Sequence, residues 1–361
     1  MSLKKGLSIF LLLSVIVSGA ILFFSLDKTS LELFRQADFR ILGFAMLLVV
    51  CVWLLDALKL ATLTRAAGER IPYTLAIELT WINYFGAALT PMQSGGGPFQ
   101  MYLMYKSGIS VGKTVAITLV RTFLTMMILG LTVPFAFLLK NEIPEISWGM
   151  KGFLFYVVIF IVVAWFCIIT SLVRPKLIKR FFGIAIMGLK KLGVLKPERV
   201  IAILKRTSRE IDTYNQNIWA FLTTGRRDFF LASICAVLQM LTYLSVMPCM
   251  IWAMGIEVAY VECVLLQALF IFLLYFMPTP GGSGAAEGGA ALVFSVFVPW
   301  NVAGMLGVGW RFLTEHTGIV LGTIVALKLI GWSIANQIVT KSDDEVERVI
   351  EEEKKREGTE S

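Results

Sequence analysis

Six ionisable residues sit inside apolar stretches of this chain: Glu78, Arg121, Glu287, Arg311, Glu315 and Lys328. A charge held in hydrocarbon costs about 2.5–3.5 kcal/mol on insertion scales, so each marks a function or a structural pair. Arg121 lies about ten residues into a helical run over 111–139, near mid-depth at about 1.5 Å per residue. Glu287 follows the cluster Gly281-Gly282-Ser283-Gly284, and a helix starting at Gly284-Ala285-Ala286 presents unpaired backbone N–H groups. Those donors, with the partial positive charge of the helix end and Arg121 or Arg311 nearby, suit a lipid phosphate. Glu287 fits a competing role as well, capping the same donors with its own carboxylate. Arg311 and Glu315, four residues apart, read equally as an internal ion pair and as substrate contacts. For Glu78, Lys328 and His316 the expectation is structural.

Other chemistries find no residues to carry them. Gly282-Ser283-Gly284 is followed by no GK[ST] and preceded by no strand pattern, so it is not a nucleotide loop. His316 is the single histidine, and Cys51, Cys167, Cys235, Cys249 and Cys263 all lie in apolar runs without a CxxC pair. Buried thiols are expected there, with no metal site and no cofactor. Ser, His and Asp do not cluster as a catalytic set, so no enzyme is expected.

The elements that must position these charges are membrane helices. Hydrophobic residues make up 57% of 361 and charged ones 16%, a surplus too large for a soluble surface. Apolar runs of spanning length fall at 7–25, 41–63, 114–139, 152–173, 228–254 and 317–340. The first follows Lys4-Lys5 as a leader would, but it is long and ends on Phe23-Phe24, so an uncleaved span is expected. The net charge of +8 is concentrated: between Arg174 and Arg227 there are 13 Lys/Arg against 3 acids. Basic excess beside spans marks the cytoplasmic face and suits anionic head groups, which argues against a nucleic-acid partner. The same rule puts the N-terminus and the charged tail 341–361 inside. Within the basic segment 174–227, residues 197–224 form an amphipathic helix that lies on the membrane, packs on a partner, or merely connects. Trp81, Trp148, Trp300 and Trp332 fall near the expected interfaces.

Two apolar stretches are not simple spans. Ile71 to Lys106 is interrupted by Thr90-Pro91-Met92-Gln93-Ser94-Gly95-Gly96-Gly97-Pro98, and both its ends must face inside. Cys263 to Val298 is interrupted by Pro278-Thr279-Pro280-Gly281-Gly282-Ser283-Gly284, and both its ends must face outside. Each reads as a re-entrant helical hairpin, tolerable only where its backbone lines a protein- or water-filled cavity. One enters from each face, as expected of an inverted repeat whose breaks meet at a midplane site.

The two breaks, and especially Pro278-Thr-Pro-Gly-Gly-Ser-Gly-Ala-Ala-Glu287-Gly, resemble the paired signatures of the lysylphosphatidylglycerol synthase transmembrane-region family. Val120-Arg121 and the run Trp310-Arg311-Phe-Leu-Thr resemble two further landmarks, and the likeness covers roughly residues 5–340. It implies an all-α, polytopic bundle with a single flippase-like domain over 1–340, in the inner membrane. On that resemblance the substrate path is expected to involve Arg121, Glu287, Arg311 and Glu315, the break glycines Gly95, Gly96, Gly281, Gly282 and Gly284, and Gln100. Many relatives carry an acid and an arginine after the first Gly-Gly, where this chain has Gly97 and Gln100. An aromatic pair that often follows the second run is replaced by Glu315-His316, so the head group is expected to differ. The aminoacyltransferase domain of longer relatives has no counterpart after Lys341, which implies no synthase activity. The expected function is movement of an anionic or zwitterionic phospholipid, or a polyprenyl-linked lipid, with homo-oligomerisation left open. An intramembrane enzyme modifying a head group, and a structural subunit of an envelope complex, remain as alternatives.

Overall fold

The computed structural model describes residues 3–139 and 223–329, with Ile159, Arg180, Trp219 and Phe221. The expected span 152–173, the loop 140–151, nearly all of the basic segment with its amphipathic stretch, the end of the 317–340 span and the tail lie outside these residues. The described part is helical, apart from one isolated antiparallel bridge between Pro91 and Pro280.

Among the described residues, five helical stretches are long and apolar enough to cross a membrane: Ser8–Ser25, Phe39–Ala66, Val111–Thr132, Arg226–Ala253 and Trp300–Leu329. The first three belong to α1 (Leu3–Ser25), α3 (Phe39–Ala66) and α6 (Val111–Leu139). The fourth comprises α7 (Arg226–Leu244) and α8 (Val246–Ala253), which meet at Ser245. Pro248 sits in the first turn of α8, where its missing N–H interrupts the ladder that would otherwise run straight through. The fifth joins α11 (Trp300–Arg311), a π turn at Phe312–His316 and α12 (Thr317–Leu329).

One local feature departs from the sequence-based expectation. The last helical stretch begins at Trp300 rather than near residue 317. Its first half carries Gly304, Gly307, Gly309 and Arg311, which dilute the apolar signal but let backbones pack closely. A Cβ at Gly307 would stand 2.7 Å from Ala291 N, so α11 and its neighbour touch through backbone. The stretch 26–40 also holds a short helix, α2 (Lys28–Gln36), opened by a capping box in which Asp27 and Ser30 satisfy each other's backbone N–H.

The interrupted stretches fold as two helix–break–helix units. The first is α4 (Tyr73–Leu89) and α5 (Gly96–Lys106); the second is α9 (Tyr260–Leu274) and α10 (Ala285–Phe294). The first unit packs with α3, α6 and α12 around Leu60, Leu79, Phe85, Phe99 and Val325. The second packs with α6, α8 and α11 around Met247, Phe270, Phe294, Leu306 and Trp310. Helix α3 serves both cores, through Ala45, Val49 and Trp53 in its first half and Leu60, Leu63 and Ala66 in its second. The breaks themselves meet. Met92 N–H donates to Met277 O at 3.0 Å, and Gly281 N–H donates to Thr90 O at 3.2 Å. These bonds satisfy backbone groups that no helix ladder reaches. Trp81 packs edge-on against Trp53 at 6.1 Å.

Candidate functional site

The first break starts where Thr90 ends α4. Its hydroxyl donates to Gly86 O at 3.1 Å and accepts from Gly95 N–H at 2.6 Å, closing the turn. Gly86 and Gly95 must be glycines for the chain to turn this tightly: a Cβ on either would come within 2.6 Å of the other's carbonyl oxygen. Between them Met92 and Gln93 both adopt φ +55°, a left-handed conformation unfavourable for residues with side chains. Pro91, Met92 and Ser94 are exposed, facing away from the packed interior.

Beside this tip lies a cavity of about 540 Å³. Its wall holds Asp56 and Lys59 from α3, Arg121 from α6, Gln239 and Tyr243 from α7, Tyr275 from the second break and Glu315 from the π turn. Asp56 is buried and doubly paired, Oδ1 at 2.7 Å from Lys59 Nζ and Oδ2 at 2.6 Å from Arg121 Nη2. Lys59 Nζ also donates to Gln239 Oε1 at 2.6 Å. Arg121 Nη1 reaches Asn83 Oδ1 only at 3.4 Å, and its Nε has no hydrogen-bond partner. A carboxylate between two cations orients both and leaves one positive charge uncompensated beside the cavity. Phosphate or carboxylate is the chemistry such a wall attracts.

The second break is built differently. Gly281, Gly282 and Gly284 take φ of +59°, +68° and +86°, so the chain reverses without strain. Residues 280–283 are buried. Glu287 Oε2 accepts from Gly284 N–H at 2.7 Å, and Oε1 accepts from the Ser14 hydroxyl at 2.7 Å. Arg311 is 2% exposed, with Nη2 donating to Gly281 O at 2.5 Å. Its guanidinium stands 3.8 Å from Glu287 and 3.8 Å from Glu315. Ser14 Oγ is also 2.8 Å from His316 Nε2, and His316 Nδ1 stands 3.1 Å from Arg311 O, so the ring bridges Ser14 and the Arg311 carbonyl. The Glu287 carboxylate thus stands where an anion at the α10 start would bind, and Glu287 and Arg311 line no part of the cavity.

The residues expected from sequence separate accordingly. Arg121, Glu315 and Gly95 line the cavity. Gln100 is buried away from it, its amide donating to Leu79 O at 2.8 Å. Gly96, Gly281, Gly282 and Gly284 shape the breaks without lining the cavity. Glu78 is half-buried on α4, and Lys328 is exposed at the end of α12. Asp56 and Lys59 were not anticipated. The signal was present, an acid and a base three apart inside the apolar run 41–63. Cys51, Cys235, Cys249 and Cys263 are free thiols, and no group of three metal-ligating side chains occurs among the described residues.

Comparison with known proteins agrees with this architecture. The family described as "Lysylphosphatidylglycerol synthase TM region" matches residues 11–322. A relative described as "UPF0104 membrane protein", from Archaeoglobus fulgidus, is 26% identical over 315 residues, covering 87% of this chain and 94% of the relative.

Proposed function

The chain belongs to the family of the lysylphosphatidylglycerol synthase TM region, a multi-pass membrane protein, and from that premise we propose that it moves a phospholipid or lipid-linked amphiphile across the membrane. One observation carries the reading: a cavity walled by the buried Asp56–Lys59–Arg121 cluster lies where the tips of two broken helices meet. Charges in a membrane interior are retained where a polar group must enter, and broken helices are tolerated where they line its path. In this reading the two units are re-entrant hairpins inserted from opposite faces, related as an inverted repeat, in an inner membrane with both termini cytoplasmic. Support comes from the distribution of Lys and Arg and from the likeness of the two breaks. The phosphate of the head group meets Arg121 and Lys59, while the acyl chains stay in lipid. The role assigned is transport rather than catalysis.

The test is reconstitution in liposomes with fluorescent phospholipids, followed by dithionite quenching of the outer leaflet. Wild-type protein is expected to raise the quenched fraction above that of empty liposomes. Arg121→Ala, checked for a monodisperse fold, is expected to return it to the empty level. If wild type moves no phospholipid or polyprenyl-linked lipid, or if Arg121→Ala moves lipid at the wild-type rate, the reading is wrong.

A further inference from the structure

Two sets of charges meet at the cavity, and they present opposite signs to it. In the first, the Asp56 carboxylate pairs with two cations, Lys59 at 2.7 Å and Arg121 at 2.6 Å, leaving one positive charge in surplus. In the second, the Arg311 guanidinium stands 3.8 Å from each of two carboxylates, Glu287 and Glu315, and of these three Glu315 is the one that lines the cavity. No ion pair joins the two sets among the described residues. Both nevertheless open on one cavity of about 540 Å³, the positive set through Arg121 and Lys59 and the negative set through Glu315.

The ends also differ in what surrounds them. At the positive end Arg121 lines the cavity, and its Nη1 is held only at 3.4 Å by Asn83. That geometry suits the oxygens of a phosphate diester. At the negative end Glu315 is 19% exposed, and its Oε1 accepts only a long bond from Tyr243 at 3.3 Å. Tyr84, Tyr243 and Tyr275 line the same cavity, with the Tyr243 hydroxyl turned to Glu315. A carboxylate sharing a cavity with aromatic side chains is an environment that holds an ammonium group, chiefly by charge.

Building on the lipid-transport reading, we infer that the cavity selects a zwitterionic head group, its phosphate diester on Arg121 and Lys59 and its ammonium on Glu315 among the three tyrosines. An anionic head group brings no ammonium to Glu315, and that missing contact is the element of discrimination against it.

The test is binding, which needs no transport. Purified protein in an uncharged detergent is titrated with dihexanoyl phosphatidylethanolamine, phosphatidylcholine and phosphatidylglycerol, which share acyl chains and phosphate. Wild type is expected to bind the two zwitterionic lipids at least about tenfold more tightly than phosphatidylglycerol, a difference of about 1.4 kcal/mol. Glu315→Gln is expected to bring the ratio close to one, while Arg121→Gln weakens all three lipids alike. Tyr275→Leu, which leaves the ion pairs in place, is expected to lower affinity for the zwitterions only. Equal binding of phosphatidylglycerol by wild type, or an unchanged ratio in a folded Glu315→Gln, overturns the inference. Preferential zwitterion binding without movement in liposomes sinks the transport reading and leaves this one standing.

Discussion

The two breaks resemble each other in sequence and differ in what their glycines do. In the second, glycines occupy the left-handed turn positions, Gly281, Gly282 and Gly284. In the first, glycines make the close approach at Gly86 and Gly95, while Met92 and Gln93 are forced to φ +55°. The second tip is buried and its charges are consumed internally, Glu287 by Gly284 N–H and Ser14, Arg311 by Gly281 O. The first tip is exposed beside the cavity that Arg121 lines. Similar motifs therefore produce a closed corner on one side and a strained, open one on the other. Strain retained at an open site is the pattern expected of a binding surface.

Breaking the closed corner should have the largest effect on stability. Arg311→Ala leaves Glu287 buried without its cation and Gly281 O without its donor, a loss of about 3–5 kcal/mol. Thermal unfolding in detergent reads it, and an unshifted transition would mean that the corner is not held this way. Arg121→Ala is milder, because Asp56 keeps Lys59 at 2.7 Å; about 1.5–3 kcal/mol is expected. The comparison sharpens if this variant still folds but no longer moves lipid, and it fails if Arg121→Ala destabilises more than Arg311→Ala.

The turns themselves give smaller effects. Gly281→Ala places a side chain at φ +59°, with its Cβ 3.0 Å from the Phe10 ring, and should cost about 1–2 kcal/mol. Gln93→Gly should do the opposite, relieving φ +55° at the cost of a more flexible unfolded chain, for a net gain below about 1 kcal/mol. Opposite signs in the same unfolding assay would establish that the two tips use their glycines differently.

The positions of the breaks could be read in advance because Pro and Gly interrupt apolar runs in a way no spanning helix does. Arg121 was visible as a charge deep in a long run. Asp56 and Lys59 escaped because the run around them is otherwise strongly apolar, and an acid three residues from a base looks self-neutralising; nothing local shows that Asp56 also reaches Arg121, 65 residues away. The start of the last helical stretch was misplaced by 17 residues for the converse reason. Gly304, Gly307 and Arg311 weaken the apolar pattern, although the helix is held by backbone packing against Ala291 that periodicity does not report. The division of labour between Glu287 and Glu315 could not be read from spacing. It depends on which carboxylate Ser14 and Gly284 claim, and Ser14 comes from the far end of the chain.

The bridge at Pro91 and Pro280 constrains any motion. A rearrangement that parted the two tips would strip partners from Met92 N, Met277 O, Gly281 N and Thr90 O together, in surroundings where an unmade amide bond forfeits about 4–6 kcal/mol. Rocking about the joint leaves all four groups satisfied. The crossing point of the two breaks is thus a clasp: the tips stay together unless all four groups lose their partners at once.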